Sequence, residues 1–218
     1  MSYDFDFSFL ADKWPVFLQG ALLTVQLTVI SGARCLARRV HCAVLRVYGH
    51  PLVRRLVGAY VEIIRNTPLL VQIFIVYFGI ATLGWKIDAE TSAIIALVIN
   101  VGAYTTEIMR AGIESIPRTQ IEAADCLGLK RLQVISHIVL LPAMERVYPA
   151  LSSQFVLLML ASSITSQISA EELTAVANLI QSDTYRSFEV YIVVAIVYLA
   201  LSLVYRVGFW LIGLALFV

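Results

Sequence analysis

Charged side chains are scarce in this 218-residue chain: Asp, Glu, Lys and Arg together make up 14% of it, and hydrophobic residues make up 60%. A soluble domain usually carries about a quarter charged residues, so the composition excludes an ordinary soluble fold. It predicts a polytopic membrane protein. The formal net charge of +1 indicates no particular partner, and we expect no nucleic-acid binding.

Residues suited to covalent or metal chemistry are also few. The histidines are isolated, the cysteines fit no metal-ligand spacing and are interpreted as reduced thiols, and there is no glycine-rich phosphate loop. No nucleophile stands beside a base. We therefore expect that the chain is not an enzyme, binds no metal or cofactor, and cannot hydrolyse ATP by itself. The acidic first residues argue against a cleavable signal peptide. The histidines and cysteines are His41, His50, His137, Cys35, Cys42 and Cys126.

Apolar runs predict five membrane spans in a single domain of residues 1–218. The spans lie near residues 14–32, 57–84, 91–111, 147–168 and 190–206. A basic run follows the first span, and one arginine costs roughly 2.5–3.5 kcal/mol at a helix centre. That span is therefore expected to end near Gly32. Residues 33–48 are either a basic cytoplasmic extension or a local reading-frame error in the source sequence. The apolar tail, 207–218, is expected to fold along the membrane surface unless the true terminus differs.

The distribution of basic residues predicts the orientation in the membrane. Eleven Lys and Arg residues lie in the connections after the first and third spans, and three lie in the connections on the other side. The positive-inside rule therefore places the amino terminus outside and the carboxyl terminus in the cytoplasm. It also places residues 114–142 in the cytoplasm. The acidic segment 169–188 is predicted to be external.

A polar stretch interrupts the apolar sequence at residues 116–142, IPRTQIEAADCLGLKRLQVISHIVLLP. Pro117 prevents the preceding helix from continuing, and Thr119 with Glu122 has the spacing of a capping box. Gly128 is expected to end the new helix in the left-handed conformation. The pattern predicts a helix of about eight residues, roughly 12 Å long. Such a helix is too short to span a bilayer but long enough to fill a groove on another protein.

Three motifs, taken together and in their order along the chain, resemble one known family. Within the polar stretch, EAA at 122–124, Gly128 and the later Leu-Pro pair resemble the EAA loop of bacterial ABC importer permeases. RNTPLL at 65–70 and YTTEIMRAGI at 104–113 resemble permeases for polar amino acids, the group that carries histidine, glutamate, glutamine, arginine and opines. The resemblance covers residues 57–205. An EAA pattern alone is weak, and the order of all three motifs gives the resemblance its specificity.

The resemblance implies an all-α, type I ABC importer permease fold with five transmembrane helices in a bacterial inner membrane. It implies alternating access driven by a separate ATP-binding subunit, which binds the ATP. It also implies an external solute-binding protein, a second permease subunit that is identical or a paralogue, and contact with membrane lipid. The residues implied in ATPase coupling are Glu122, Ala123, Ala124, Gly128, Lys130 and Arg131. Those nominated for the substrate path are Asn66, Thr67, Pro68, Ser162, Ser163 and Thr165.

Structural interpretations stand beside these functional ones. Pro68 could be a packing kink as well as part of the path, and Glu107 with Arg110 is interpreted as a structural ion pair. The alternative function is an ATP-independent secondary amino acid transporter or channel. Paired ionisable residues deep in the spans, or an inverted repeat, would favour it, and the sequence has neither. A membrane scaffold without a transport role is a third possibility.

Overall fold

The computed structural model describes residues 5–33 and 36–217, without the side chains of residues 36–39. Every regular element in these ranges is helical. Arg34 and Cys35 of the basic run lie outside the described residues, as do the side chains of Arg38 and Arg39. The elements are α1 Phe9–Ala33, α2 Leu36–Tyr48, α3 Pro51–Arg65, α4 Leu69–Thr82, α5 Ala89–Glu114, α6 Arg118–Cys126, α7 Arg131–Gln133, a π-helical turn Val134–Leu140, α8 Leu141–Ala161, a 3₁₀ segment Ser162–Ile168, α9 Leu173–Thr184 and α10 Ser187–Phe217.

Within the part of the chain that the structure describes, four helical stretches are long and apolar enough to cross a membrane: Phe9–Ala33, Ala89–Glu114, Arg131–Ile168 and Ser187–Phe217. The pair α3 and α4 passes the same test together, which gives five spans if the pair is counted as one. The break expected at Pro68 is confirmed. The two helix axes differ by 106°, which is far more than a proline kink within one continuous helix. If α4 runs along the membrane normal, α3 lies close to the membrane plane.

Helix α5 is the centre of the bundle. It packs against α1, α2, α3, α4 and α8, and twelve of its residues are buried. Small side chains such as Ala93, Ala96 and Gly102 allow the neighbouring helices to approach closely, as is common between membrane helices. Leu97 and Val101 join Leu27 of α1 in the largest apolar cluster. The residues around α5 therefore fix how α3, α4 and α8 face one another.

Helix α9 is half buried, although its segment was predicted from its charge to be a polar external connection. One face of α9, with Leu173, Val176 and Ile180, packs on Phe17 of α1 and on α10. The acidic residues of the segment lie at the ends of α9, and Asp183 forms a 3.1 Å ion pair with Lys13. The prediction rested on the acidic residues of the segment alone. It missed the apolar face, whose residues recur at helical spacing between polar ones.

Gly20 permits the close contact between α1 and α9. A Cβ atom there would lie 2.9 Å from Val176 Cγ2 and 3.0 Å from the Leu173 Cα. We expect Gly20→Ala to lower the free energy of unfolding by about 1–3 kcal/mol, because the backbone must move to admit the methyl group. Gly58→Ala is the matched control, since no atom of the described residues lies within 4 Å of its Cβ position. Thermal unfolding in detergent should show a lower midpoint for Gly20→Ala and an unchanged or higher one for Gly58→Ala.

Glu172 caps the amino terminus of α9 from a fully buried position. Its carboxylate accepts hydrogen bonds from the backbone N–H groups of Thr174 at 2.9 Å and Ala175 at 3.0 Å. The Tyr198 hydroxyl of α10 donates a third bond at 2.8 Å. Burial raises the pKa of the Glu172 carboxyl above its ordinary value, and these three hydrogen bonds oppose the shift. The carboxylate thus ties α9 to α10.

The raised pKa of Glu172 predicts a pH effect on stability. The folded chain binds a proton at this carboxyl more tightly than the unfolded chain does. The unfolding free energy contributed by Glu172 should therefore fall as pH rises from the ordinary glutamate range through the folded-state pKa. The difference in thermal midpoint between wild type and Glu172→Gln should vary with pH across that range. The exposed neighbour variant Glu171→Gln is the control. A difference in thermal midpoint between wild type and Glu172→Gln that stays constant with pH would contradict a raised pKa at Glu172.

Helix α10 continues without a break to Phe217. The expectation that residues 207–218 fold along the membrane surface is therefore wrong for 207–217. The physical reason is packing against α8: the Tyr148 hydroxyl donates a 2.5 Å hydrogen bond to the Phe209 carbonyl. The Tyr148 ring also lies 5.2 Å from that of Phe217. These contacts hold the last turns of α10 in line with the rest of the helix.

Candidate coupling and translocation sites

Helix α6 is the short helix predicted in the polar stretch, and it spans nine residues. It begins directly after Pro117, whose extended backbone conformation provides the start of the helix. The predicted capping box of Thr119 and Glu122 is wrong, because α6 already includes Thr119 and no side chain caps its first turn. Proline at the N-cap makes the first helical residue Arg118, one position before the threonine.

Gly128 ends α6 in the left-handed conformation that the sequence predicted, with φ of +73°. Its N–H donates to the Asp125 carbonyl at 3.0 Å, and the Leu129 N–H donates to the Ala124 carbonyl at 3.3 Å. These bonds satisfy carbonyls that the end of the helix would leave free. No atom of the described residues lies within 4 Å of a Cβ position at Gly128. Glycine is therefore favoured by backbone conformation and not by lack of space.

The six residues nominated for coupling divide by exposure. Glu122, Ala123, Gly128, Lys130 and Arg131 are exposed, whereas Ala124 is buried with 3% of its surface accessible. Ala124 therefore packs α6 against the rest of the chain and cannot also contact a partner in this conformation. Sequence reasoning missed Leu127 and Leu132, which are each 81% exposed next to Gly128. The presence of leucines within an otherwise polar stretch could have identified these exposed apolar residues.

The membrane helices hold α6 from both sides. Ile116, just before α6, is buried in a cluster with Ile113 of α5 and Val139 of the π-helical turn. The Arg146 guanidinium of α8 donates a 2.7 Å hydrogen bond to the Ser115 carbonyl at the end of α5. The residues on either side of α6 are therefore anchored at the ends of α5 and α8.

Glu107 of α5 is the centre of an ionic cluster at the same end of the bundle. Its predicted pairing with Arg110 is confirmed, with an Nη2–Oε1 distance of 2.6 Å. Arg46 of α2 also donates to its carboxylate, and Arg65 at the end of α3 lies 3.9 Å from it. Arg110 in turn pairs with Glu114. The carboxylate of Glu107 thus joins α2, α3 and α5. Its contacts with Arg46 and Arg65 were not predicted from the sequence.

The break between α3 and α4 opens onto a cavity of about 550 Å³. Asn66, Thr67 and Pro68 of the nominated path line it, together with Asn100 of α5 and Gln154 of α8. The cavity is open to the surface of the single chain. Its polar groups come from side chains on α3, α5 and α8, including Arg65 and Tyr104, and from the unwound turn. Broken helices at membrane depth are tolerated where they line such a space.

Gln72 braces this turn, and sequence reasoning did not identify it. Its side-chain amide donates to the Ile64 carbonyl at 2.8 Å and to the Thr67 carbonyl at 3.0 Å, and both carbonyls lie at the break. Its own carbonyl oxygen accepts a 2.9 Å bond from Asn100 Nδ2. Gln72 therefore satisfies backbone groups that the missing helical turn leaves without partners.

The three nominated hydroxyl residues after α8 are placed differently. Ser162 and Thr165 are fully buried, and their hydroxyls donate 2.7 Å bonds to the carbonyls of Met159 and Ser162. Ser163 is half-buried and donates to the Leu160 carbonyl at 2.7 Å. Its neighbours Ala161 and Ile164 line the cavity. In this conformation, the hydroxyls of Ser162 and Thr165 stabilise the 3₁₀ segment and present no surface to a solute.

Comparisons with known proteins agree with this architecture. Residues 41–212 match the family described as binding-protein-dependent transport system inner membrane component. A probable glutamine ABC transporter permease protein of Bacillus subtilis is 36% identical over 201 residues, which cover 92% of this chain and 93% of that protein. An octopine transport system permease protein of Rhizobium radiobacter is 34% identical over 209 residues, which cover 92% and 85%.

Solved structures give the same result. The permease chain in the crystal structure of an amino acid ABC transporter with histidines has a TM-score of 0.88 and 33% identity. The match covers 98% of this chain and 100% of that chain. The MetNI methionine ABC transporter, at 19% identity and a TM-score of 0.78, supports the fold alone. The chain is therefore a multi-pass inner membrane protein that belongs to the family of binding-protein-dependent transport system inner membrane components.

Proposed function

We propose that this chain is the permease subunit of an ABC importer for polar amino acids and works by alternating access. The relatives named for glutamine and octopine transport support this substrate class. A separate subunit binds and hydrolyses ATP, and this chain transmits its motion. The observation on which the proposal mainly rests is α6, a nine-residue helix with an exposed outer face. It follows α5 closely in the chain and packs against the π-helical turn that leads into α8.

The outer face of α6 and the turn after it form the proposed docking surface for the ATPase subunit. Leu127 and Leu132, which are both highly exposed, supply apolar contacts. Lys130 and Arg131 add charged contacts at its edge, and Glu122 with Ala123 forms the exposed side of the helix. Ala124 keeps α6 attached to the membrane helices. Closure of the ATPase subunits then moves the ends of α5 and α8.

The cavity beside the α3–α4 break is the proposed section of the translocation path. Asn66 and Thr67 present polar groups to it, and Pro68 keeps the turn unwound. Asn100, which also lines the cavity, is a further candidate for contact with the solute. Ser163 lies beside the rim, while Ser162 and Thr165 support the wall from inside. An amino acid has several polar groups to satisfy, and amide and hydroxyl side chains can pair with them.

The remaining parts of the proposal concern orientation and partners. The amino terminus lies outside and the carboxyl terminus in the cytoplasm, so that α6 faces the ATPase. A solute-binding protein delivers the amino acid to the outer side, where Asp6 pairs with Arg186 at 3.0 Å and Lys13 pairs with Asp183. A second permease subunit completes the path, and lipid covers the remaining apolar surface.

Reconstitution in proteoliposomes tests the function. Vesicles would contain this chain, the cognate ATP-binding subunit and the cognate binding protein, with labelled glutamine, histidine, arginine and octopine offered in turn. We expect uptake of at least one of them that requires both ATP inside the vesicles and the binding protein outside. Uptake that persists without ATP would favour the secondary transporter or channel. No uptake of any polar amino acid under full reconstitution would contradict the substrate class.

A further inference from the structure

Another cavity, of about 390 Å³, lies between α2, α3 and α5. Arginines from all three helices line it, and it is called the arginine cavity below. One arginine comes from α2, two come from α3 and one comes from α5. These are Arg46, Arg54, Arg55 and Arg110, and Gly58 and Glu114 line the cavity with them. Side chains of one charge therefore converge on one space from three elements of the fold.

Two of the four arginines are fixed in place by carboxylates. Arg110 donates to Glu107 from Nε at 3.1 Å and from Nη2 at 2.6 Å, and it donates to Glu114 from Nη1. Arg46 donates to the other carboxylate oxygen of Glu107. A guanidinium group has five N–H donors, so both arginines keep donors for a further acceptor. Their positions are set before any ligand binds.

The other two arginines leave the cavity with excess positive charge. Arg54 and Arg55 are exposed, and neither forms an ion pair with the described residues. Within the cluster, five guanidinium groups face three carboxylates, which leaves a formal charge of +2 among the described side chains. The guanidinium groups belong to Arg46, Arg54, Arg55, Arg65 and Arg110, and the carboxylates belong to Glu62, Glu107 and Glu114. An anion would neutralise this charge.

The position of the cavity along α5 places it at the edge of the membrane. Residues 91–106 of α5 carry no charge and span roughly 24 Å, close to the hydrocarbon thickness of about 30 Å. Arg110 and Glu114 follow about one and two turns later, at the depth where lipid phosphates lie. Because α3 runs close to the membrane plane when α4 runs along the normal, Arg54 and Arg55 stay near this depth.

We propose that the arginine cavity binds a phosphate group, and its depth favours the headgroup of an anionic phospholipid as the carrier. A phosphate offers several acceptor oxygens, and a guanidinium group can donate two parallel N–H bonds to it. Phosphatidylglycerol should bind better than phosphatidylcholine, because the cationic amine of phosphatidylcholine is repelled by the excess positive charge. Inorganic phosphate is the other source of the same group.

The site lies apart from the two sites of the proposed function. Among the described residues, the arginine cavity shares no lining residue with the cavity beside the α3–α4 break. It also contains none of the residues nominated for contact with the ATPase subunit. Binding of phosphate can therefore be measured on the full chain alone, whether or not the chain transports amino acids.

Thermal unfolding of the full chain in detergent tests the site, with phosphatidylglycerol, phosphatidylcholine or inorganic phosphate added in turn. We expect phosphatidylglycerol to raise the thermal midpoint more than phosphatidylcholine does, since a ligand of the folded state stabilises it. In the double variant Arg54→Gln/Arg55→Gln, the concentration of phosphatidylglycerol that gives half of this rise should increase by about tenfold. The matched control is Arg118→Gln/Arg206→Gln, which removes two exposed arginines elsewhere and should respond like wild type.

The added compounds also distinguish the two sources of phosphate. A rise with phosphatidylglycerol that exceeds the rise with inorganic phosphate supports the lipid headgroup, and the reverse order supports soluble phosphate at the same site. Either result must be weaker in Arg54→Gln/Arg55→Gln. The proposal would be overturned if neither compound raised the midpoint, or if both double variants changed the response equally.

Gly58 permits a second test that removes no arginine. No atom of the described residues lies within 4 Å of its Cβ position, so a longer side chain has space. Gly58→Glu places a carboxylate three and four residues after Arg55 and Arg54, within reach on the helix surface. The midpoint without added anion should then exceed that of the neutral control Gly58→Gln, and the rise with phosphatidylglycerol or phosphate should be smaller. Equal behaviour of the two variants would contradict the proposal.

Discussion

Gly128→Asp is expected to reduce ATP-driven uptake to background while the chain still inserts and folds in the membrane. The backbone of Gly128 has φ of +73°, where a Cβ atom costs roughly 1–2 kcal/mol. That strain is small against a typical folding stability of about 5–15 kcal/mol, so the chain should remain folded. Aspartate is among the residues that tolerate this conformation, so the main effect of the substitution is the negative charge that it adds to the proposed docking surface. Uptake in proteoliposomes and the amount of chain in the membrane are the two measurements.

Gly84→Asp is the matched control for this experiment. Gly84 also has a positive φ, +86°, and also has open space at its Cβ position among the described residues. It lies after α4, at the end of the bundle that the proposed orientation places outside. Uptake by Gly84→Asp should therefore remain close to wild type. Equal loss in both variants would mean that backbone strain alone abolishes transport, and the docking role of Gly128 would be wrong.

Glu107→Gln is expected to destabilise the chain more than any exposed charge change. The substitution removes the negative partner of Arg110 and Arg46 in a position that is mostly shielded from water. Two arginines then compete for neutral acceptors, which we expect to cost about 2–3 kcal/mol. For a chain of this length the thermal midpoint should fall by roughly 5–10 °C. Fluorescence-detected thermal unfolding in detergent measures it.

The comparison variant is Glu145→Gln, since Glu145 of α8 is exposed and forms no ion pair with the described residues. Its thermal midpoint should lie within about 2 °C of wild type, because exposed charges contribute little. If Glu107→Gln were as mild as Glu145→Gln, the ionic cluster would not be a fixed link among α2, α3 and α5. High salt should change the Glu107→Gln effect little, because the partners are partly buried.

Local patterns in the sequence predicted the features that depend on one or two residues. The left-handed turn at Gly128, the break at Pro68 and the pair of Glu107 with Arg110 each follow from backbone preference or helical spacing, and each is confirmed. The capping box at Thr119 failed for a local reason too. Pro117 and Thr119 are both signals for the start of a helix and lie within three residues of each other. The helix begins after Pro117, which comes first in the chain.

Features that depend on packing could not be predicted in this way. The burial of Ala124 and the exposure of Leu127 follow from which face of α6 meets the π-helical turn, and composition does not determine that face. Similarly, the buried Glu172 is held by Tyr198 from a helix 26 residues away. Its charge suggested a solvated loop, whereas its hydrogen bonds make it a structural cap. Tertiary contacts decide such positions.

Copurification with the cognate ATP-binding subunit tests directly whether α6 and its turn are the docking site. Tagged wild type, Gly128→Asp and Gly84→Asp would be purified in mild detergent from cells that also express that subunit. Wild type and Gly84→Asp should retain the subunit, and Gly128→Asp should lose it at equal membrane levels. Retention by all three would contradict docking through the α6 turn, and retention by none would contradict an ATP-driven importer.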